Sequence, residues 1–265
     1  MPDSAAPNVR ALSSRQPLAW LAAGWRDFRR SPAVGVAHGL ALAAFGAALL
    51  FAAHDRFWLL AGAFSGFLLV APVLAVGLYA VSRALERGEP VGFGLVWRTW
   101  LSWRGHPRHD WRLVRFGLLL ALAGTGWVLT SASLITLFAP APIGSPRDFL
   151  EHIVLSREHY LFETWLALGG VLAAPVFASS VITLPLLLDR RIGVLPAVLA
   201  SWQAVLANPL PLALWAALIM LLTLAGLLPL LLGLVLVVPM LGHASWHAYR
   251  DLVDASALPP REGPG

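Results

Sequence analysis

The chain has 265 residues, of which 58% are hydrophobic and 12% charged, against roughly a quarter charged in an ordinary soluble domain. Its 19 basic residues, every one an arginine, outweigh 14 acidic ones; an all-arginine basic set reflects a GC-rich genome as readily as a function, and no nucleic-acid partner is expected. There is no cysteine, which excludes disulfides, thiolate nucleophiles and cysteine-ligated zinc or iron–sulfur sites.

The expected class is all-α: a polytopic helical membrane protein. Residues 1–16 read as a flexible N-terminus, and the early arginines precede no compact apolar run with a small-residue cleavage site, so a cleaved signal peptide is not expected. Crossing a hydrocarbon core of about 30 Å takes about 20 helical residues. Four stretches meet that length, Val34 to Ala53, Phe57 to Val81, Leu113 to Phe138 and Leu161 to Leu188. A fifth apolar block, Leu210 to Tyr249, would make a helix about 60 Å long at about 1.5 Å per residue, so it is expected to fold as two spans. The break falls at AGLLP, where Gly226 and Pro229 suit a tight turn. Residues 17–254 thus form one six-span domain, and 255–265 a flexible tail.

A short repeat supports the sixth span. WRDFRRSP from Trp25, WLSWRGHP from Trp100 and WQAVLANP from Trp202 each place a Pro seven residues after the Trp. Each precedes an apolar span, and further on comes a second span with an internal Pro: Pro72, Pro175 and Pro239. The sequence is read as three pseudo-repeats, each an interfacial helix followed by two membrane helices, with a kink expected at the internal Pro.

Assigning the N-terminus, 82–115, 189–209 and the C-terminus to one side collects 16 of the 19 arginines there, which makes that side cytoplasmic and the inner membrane the expected location. Five spans with an external C-terminus is the competing reading. The outer loop between spans three and four contains RDFLEHIVL, expected as a short helix opened by Ser145 or Asp148.

The interfacial segments combine aromatic residues and arginine at helical spacing. Trp25, Arg29 and Arg30, then Trp100, Trp103 and Arg104, then Trp202, and finally Arg250 at the end of span six, are the expected lipid-interface residues. Simple anchoring is the first explanation of them, and recognition of anionic headgroups the alternative. Gly35 with Gly39, and Gly62 with Gly66, permit close helix approach, within the chain or between copies. Thr125, Thr130, Ser179 and Thr183 either line a polar path or bond back to their own helices. No Walker loop, nucleophile elbow, HExxH motif or carboxylate cluster is present, so no catalytic residue and no cofactor is expected.

HASWHAYRD, residues 243–251, is the chemical feature that the repeat does not explain. Trp246 and Arg250 align with Tyr79 and Arg83 of the first unit and read as an aromatic belt followed by a cytoplasmic arginine. His243 and His247 are peculiar to the third unit. They share a helix face, and with His38 they form the candidate ligand or interhelix polar site. A tight zinc site would have to recruit His38, Asp189 or Asp27 as well, and no metal is expected.

LAWLAAGWRDFRRSP, GFLLVAPVLAVGLYAVSRALERGE and MLGHASWHAYRDLV together resemble an uncharacterised bacterial family of predicted multi-pass integral membrane proteins, a domain of unknown function, over about residues 16–254. More distantly, the unit of one interfacial helix and two spans looks like the membrane domain of glycerophosphodiester phosphodiesterases. The resemblance implies an inner-membrane protein and supplies no catalytic residue. Two functions follow: a non-enzymatic scaffold that engages membrane lipids, with a second copy or another membrane protein as a further partner, or a transporter or channel for a small or amphiphilic solute.

Overall fold

The structure is a computed structural model that describes residues 7–52, 73–104, 110–156 and 160–260. The bulk of the expected second span, with Gly62, Gly66 and Pro72, lies outside the described residues, as does Pro107. The chain divides into two compact units. The first comprises residues 1–43, 72–116 and 177–265; the second comprises 44–71 and 117–176.

Helix α1 runs Gln16–Arg30 and α2 runs Pro32–Ala52, parted only by Ser31. The break belongs to Pro32, which disfavours helical backbone in the residue before it. The third repeat breaks the same way. Ser31 has φ −134° and ψ 56°, Asn208 has φ −132° and ψ 53°, and each gives its N–H to the carbonyls three and four residues back. Each is followed by a proline, Pro32 or Pro209, that opens the next helix.

After the undescribed segment come α3 (Val76–Arg87), α4 (Phe93–Trp100) and α5 (Arg112–Phe138). The outer-loop helix is α6 (Pro146–Phe149), continued by a wider turn over Leu150–Val154. It is opened by a reciprocal cap: Asp148 N donates to Ser145 Oγ at 3.2 Å, while Asp148 Oδ2 accepts from Ser145 N at 2.9 Å and Gly144 N at 3.0 Å. Both residues expected to open the helix therefore do so. In the second unit Ile135, Ile143, Ile153 and Leu161 make a buried cluster under this loop.

The fourth expected span is α7 (Leu161–Ser180) followed by α8 (Thr183–Asp189). Pro175 sits inside α7, and the helix is interrupted further on, at Val181–Ile182. The cause is Pro185. A proline ring crowds the carbonyl four residues back and offers it no N–H, and four back from Pro185 is Val181.

The last elements are α9 (Val194–Ala207), α10 (Pro209–Leu227) and α11 (Leu234–Leu252). The long apolar block thus divides where Gly226 and Pro229 were expected to divide it. The turn brings two glycines together: a Cβ on Gly233 would lie 2.7 Å from Gly226 Cα.

Among the described residues, four helical stretches are long and apolar enough to cross a membrane: Pro32–Phe51, Arg112–Phe138, Leu161–Asp189 and Pro209–Leu227. Six were expected. One expected span lies mostly outside the described residues. The other, α11, carries His243, Ser245, His247, Arg250 and Asp251 in its second half, too polar a stretch to count by composition alone.

The two ends of the chain are tied together within the first unit. Asn8–Val9 pairs antiparallel with Val253–Asp254 as a two-stranded ribbon. Asn208 stitches the entry to α1, its Oδ1 accepting from Leu12 N at 2.7 Å and its Nδ2 donating to Arg10 O at 2.9 Å. Beyond the ribbon Ala255 and Leu258 are buried, and Arg191 N donates to Pro259 O at 3.0 Å. Residues 7–12 and 255–260, read from the sequence as parts of flexible tails, are held by these backbone bonds.

Candidate functional site: a buried histidine, serine and aspartate cluster

The first unit packs α1 against α11 through Gly24, where a Cβ would stand 2.5 Å from Met240 O and 2.6 Å from Ala244 N. A glycine is required there because the two backbones nearly touch. That closeness brings Asp27, one turn after Gly24, to the face of α11 that carries His243 and His247. Helix α3 supplies Ser82 from a third direction.

His247 Nε2 lies 2.8 Å from Asp27 Oδ2, and since a carboxylate oxygen only accepts, the imidazole donates. Ser82 Oγ donates to the same Asp27 Oδ2 at 2.8 Å and lies 2.8 Å from His243 Nδ1. A serine has one hydroxyl hydrogen. With that hydrogen given to Asp27, the second contact holds only if His243 Nδ1 donates to Ser82 Oγ, which fixes the Nδ1–H tautomer and leaves His243 Nε2 with a lone pair. Asp27, Ser82 and His243 are all buried.

The Asp27 carboxyl titrates below the ordinary carboxylate range. Burial alone pushes it up, but the hydrogen bonds from His247 and Ser82 and the charge of His247 more than offset that. His38 is oriented by its own helix. Its Nδ1 lies 2.8 Å from Val34 O, so Nδ1 donates and Nε2 again carries the lone pair. His38 Nε2 and His243 Nε2 are buried and have no hydrogen-bond partner among the described residues.

The candidate residues of the sequence thus separate. His243 and His247 take different partners, Ser82 and Asp27. The sequence reading missed Ser82, and it considered Asp27 only as a recruit for zinc.

A second network ties the ends of α3, α8 and α11. Asp189, 2% exposed, accepts from Tyr249 Oη at 2.8 Å, Arg87 Nη2 at 3.1 Å and Arg190 Nε at 3.1 Å. Buried Arg83 gives Nη1 to Leu188 O at 2.7 Å. Trp246 therefore differs from its expected role. Trp246 is 1% exposed and donates Nε1 to Glu86 at 3.1 Å, so it is no belt residue. Arg250 is paired with Glu86 at 3.0 Å. Where three helix ends converge, side chains at that level meet each other before they meet lipid.

The other expected interface residues face outward. Trp25, Trp100 and Trp202 are each about two-fifths exposed, and Arg29, Arg30 and Arg104 are exposed. The Trp103 side chain lies outside the described residues. The Trp100 ring stands edge-on to His38, with centroids 5.6 Å apart. Among the described residues no group of three or more His, Asp or Glu is placed to hold a metal ion.

No curated protein and no solved structure matches the chain. Residues 59–189, just under half of the chain, match the model of a family described as "Predicted integral membrane protein (DUF2189)". That segment contains Ser82 but not Asp27, His243 or His247. The match, together with the long apolar helices, makes the chain similar to an uncharacterised family of integral membrane proteins.

Proposed function

We propose that the protein is a non-enzymatic scaffold of the inner membrane that engages anionic lipid headgroups through three interfacial helices, α1, α4 and α9. The observation that carries this reading is their outward faces. Helix α1 exposes Leu18 and Trp25 beside Arg26, Arg29 and Arg30; α4 exposes Phe93, Trp97 and Trp100 beside Arg98; α9 exposes Leu195, Leu199, Trp202 and Leu206. In α4 and α9 these large side chains recur every three or four residues, one face of a helix. The opposite faces are buried, by Trp20, Ala23, Asp27 and Phe28 in α1 and by Ala197, Ala200, Ser201 and Ala204 in α9.

The wider reading is six spans in three pseudo-repeats with both termini cytoplasmic. The matched breaks at Ser31 and Asn208 and the leucine turn between α10 and α11 support it. Solute transport has less support from the hydroxyls that suggested it. Thr125 Oγ1 and Thr130 Oγ1 are exposed and donate to Ala121 O at 2.9 Å and Gly126 O at 2.8 Å of their own helix. Thr183 Oγ1 donates back to Ser179 O at 2.6 Å, at the end of α7.

Extraction in native-lipid discs followed by mass spectrometry of the retained lipids tests the proposal. Anionic phospholipid should be enriched over its share in the bulk membrane. At about 1 kcal/mol per arginine near an anionic surface, Arg29→Gln with Arg30→Gln should weaken that retention about five-fold per residue. Retained lipid of bulk composition in both proteins would remove the lipid-binding reading, and a retained small solute would favour transport.

A further inference from the structure

The first half of α11 runs antiparallel beside α2. A Cβ on Gly35 would stand 3.0 Å from Pro239 Cβ, and one on Gly39, a turn deeper, 2.6 Å from Val235 O. At the level of Gly39 the hairpin is nearly at its end. Leu230, in the turn between α10 and α11, is five residues beyond Val235, about 8 Å by helical rise. Helix α2, which is long and apolar enough to cross a membrane, continues from Gly39 to Ala52, about 20 Å. The turn stops well short of the depth that α2 reaches.

The polar half of α11 marks where the hydrocarbon begins. The side chains of His247, Arg250 and Glu86 are 28%, 37% and 42% exposed. Trp20 donates Nε1 to Asp251 Oδ2 at 2.8 Å and meets Trp215 of α10 edge-on, with centroids 5.5 Å apart. Charges at that level belong with water and headgroups, since an ionised side chain in hydrocarbon is costly. From there to the turn each arm is short: His243 back to Leu234 covers about 14 Å and Trp215 to Leu227 about 18 Å, against about 30 Å of hydrocarbon. From Leu224 to Gly242 no side chain is polar, and Leu228, Leu230 and Leu232 are 84%, 85% and 67% exposed. On the outer face those leucines would stand in water. The turn also closes on itself: the N–H groups of Leu231, Leu232 and Leu234 donate to Leu227 O, Pro229 O and Leu231 O at 3.0–3.1 Å, and Pro229 has no N–H. In lipid the backbone must find its partners internally.

We propose that α10 and α11 form a re-entrant hairpin that enters from the cytoplasmic side and turns inside the bilayer, so that the leucine turn is a surface whose partner is the lipid chains. The hairpin rests on the proposed topology for the face it enters, and it leaves both termini on that face. It departs from the six-span count at one point: the last two helices insert without crossing.

The chain has no cysteine, so single-cysteine variants of the full-length protein can be probed with a charged, membrane-impermeant maleimide. The reagent reaches the outer face in intact expressing cells and the cytoplasmic face in inside-out vesicles made from them. Arg147→Cys in the outer loop should react only in cells and Ser256→Cys in the C-terminal tail only in the vesicles, which tests the topology by itself. Leu230→Cys should react in neither and react fully once detergent is added; Leu228→Cys reports the same turn if the first variant fails to fold. Reaction of the turn in cells would show that the helices cross and would overturn the hairpin while leaving the topology standing. Reaction in the vesicles would overturn it too. A spin label on Leu230→Cys in lipid vesicles should collide freely with oxygen and not with a nickel chelate; shielding from both would mean that protein, such as a second copy, covers the turn, and would contradict the lipid partner.

Discussion

Asp27 Oδ2 accepts from both Ser82 and His247, so one oxygen joins α1 to α3 and α11. Ser82→Ala would leave buried Asp27 and His243 each short of a partner, at a cost of about 1–3 kcal/mol. The thermal midpoint in detergent should fall accordingly, and an unchanged midpoint would show that the relay contributes nothing. The depressed Asp27 pKa gives a pH signature. A carboxyl whose folded pKa lies below its unfolded value contributes stability that is complete above the unfolded value, near 4, and is lost as pH falls through the folded one. The native midpoint should therefore drop more steeply below about pH 4 than that of Asp27→Asn, with the two curves running parallel above about pH 5; parallel curves throughout would contradict the assignment. At this scale the sequence was half legible. His243 and His247 stood out as polar residues that the repeat did not require. Ser82 did not, because one serine near a helix end is ordinary until its partners are known.

Helix packing in the first unit runs through glycine. Gly35 and Gly39 were singled out for close approach, and they pack within the chain: a Cβ on Gly35 would meet Phe28 and Pro239, and one on Gly39 would meet the backbone of Val235. Gly24 makes a comparably close seam with α11, yet a glycine amid Trp and Arg carries no pattern that marks it. Gly24→Val would drive α1 off the α11 backbone, and the strain should exceed the 1–3 kcal/mol typical of overpacking. Gly94→Ala, whose new Cβ would meet only Arg98 at 3.9 Å, should leave the midpoint unmoved. A comparison of the two variants by thermal unfolding checks this, and equal effects would contradict the seam. The prolines teach a related lesson. The repeat drew attention to Pro175, but the helix is interrupted at Val181 because Pro185 withholds the bond there, and Pro185 belongs to no repeat.

At the scale of the whole molecule, membrane class is set by composition, since Leu118, Leu122 and Leu129 on α5 are all more than 60% exposed, a surface that water would penalise by roughly 25 cal/mol per Å². The internal bonding of several arginines, of which Arg83 is buried, was not legible. Arg83, Arg87, Arg112 and Arg190 all bond inside the first unit, so a count of arginines by segment overstates the charge offered to lipid, and only the tertiary fold separates the inward from the outward ones. Exposed apolar faces on α1, α4 and α9 remain as the basis for an interfacial role. Because the chain has no cysteine, single-cysteine variants at Leu18, Trp97 and Leu199 can carry a spin label without interference. In vesicles containing anionic lipid, collision with oxygen and with a membrane-impermeant nickel chelate reports depth and side for each label. All three labels should share one shallow depth at the lipid–water boundary, on one face of the membrane; a label in bulk water, or on the opposite face, would contradict the interfacial role.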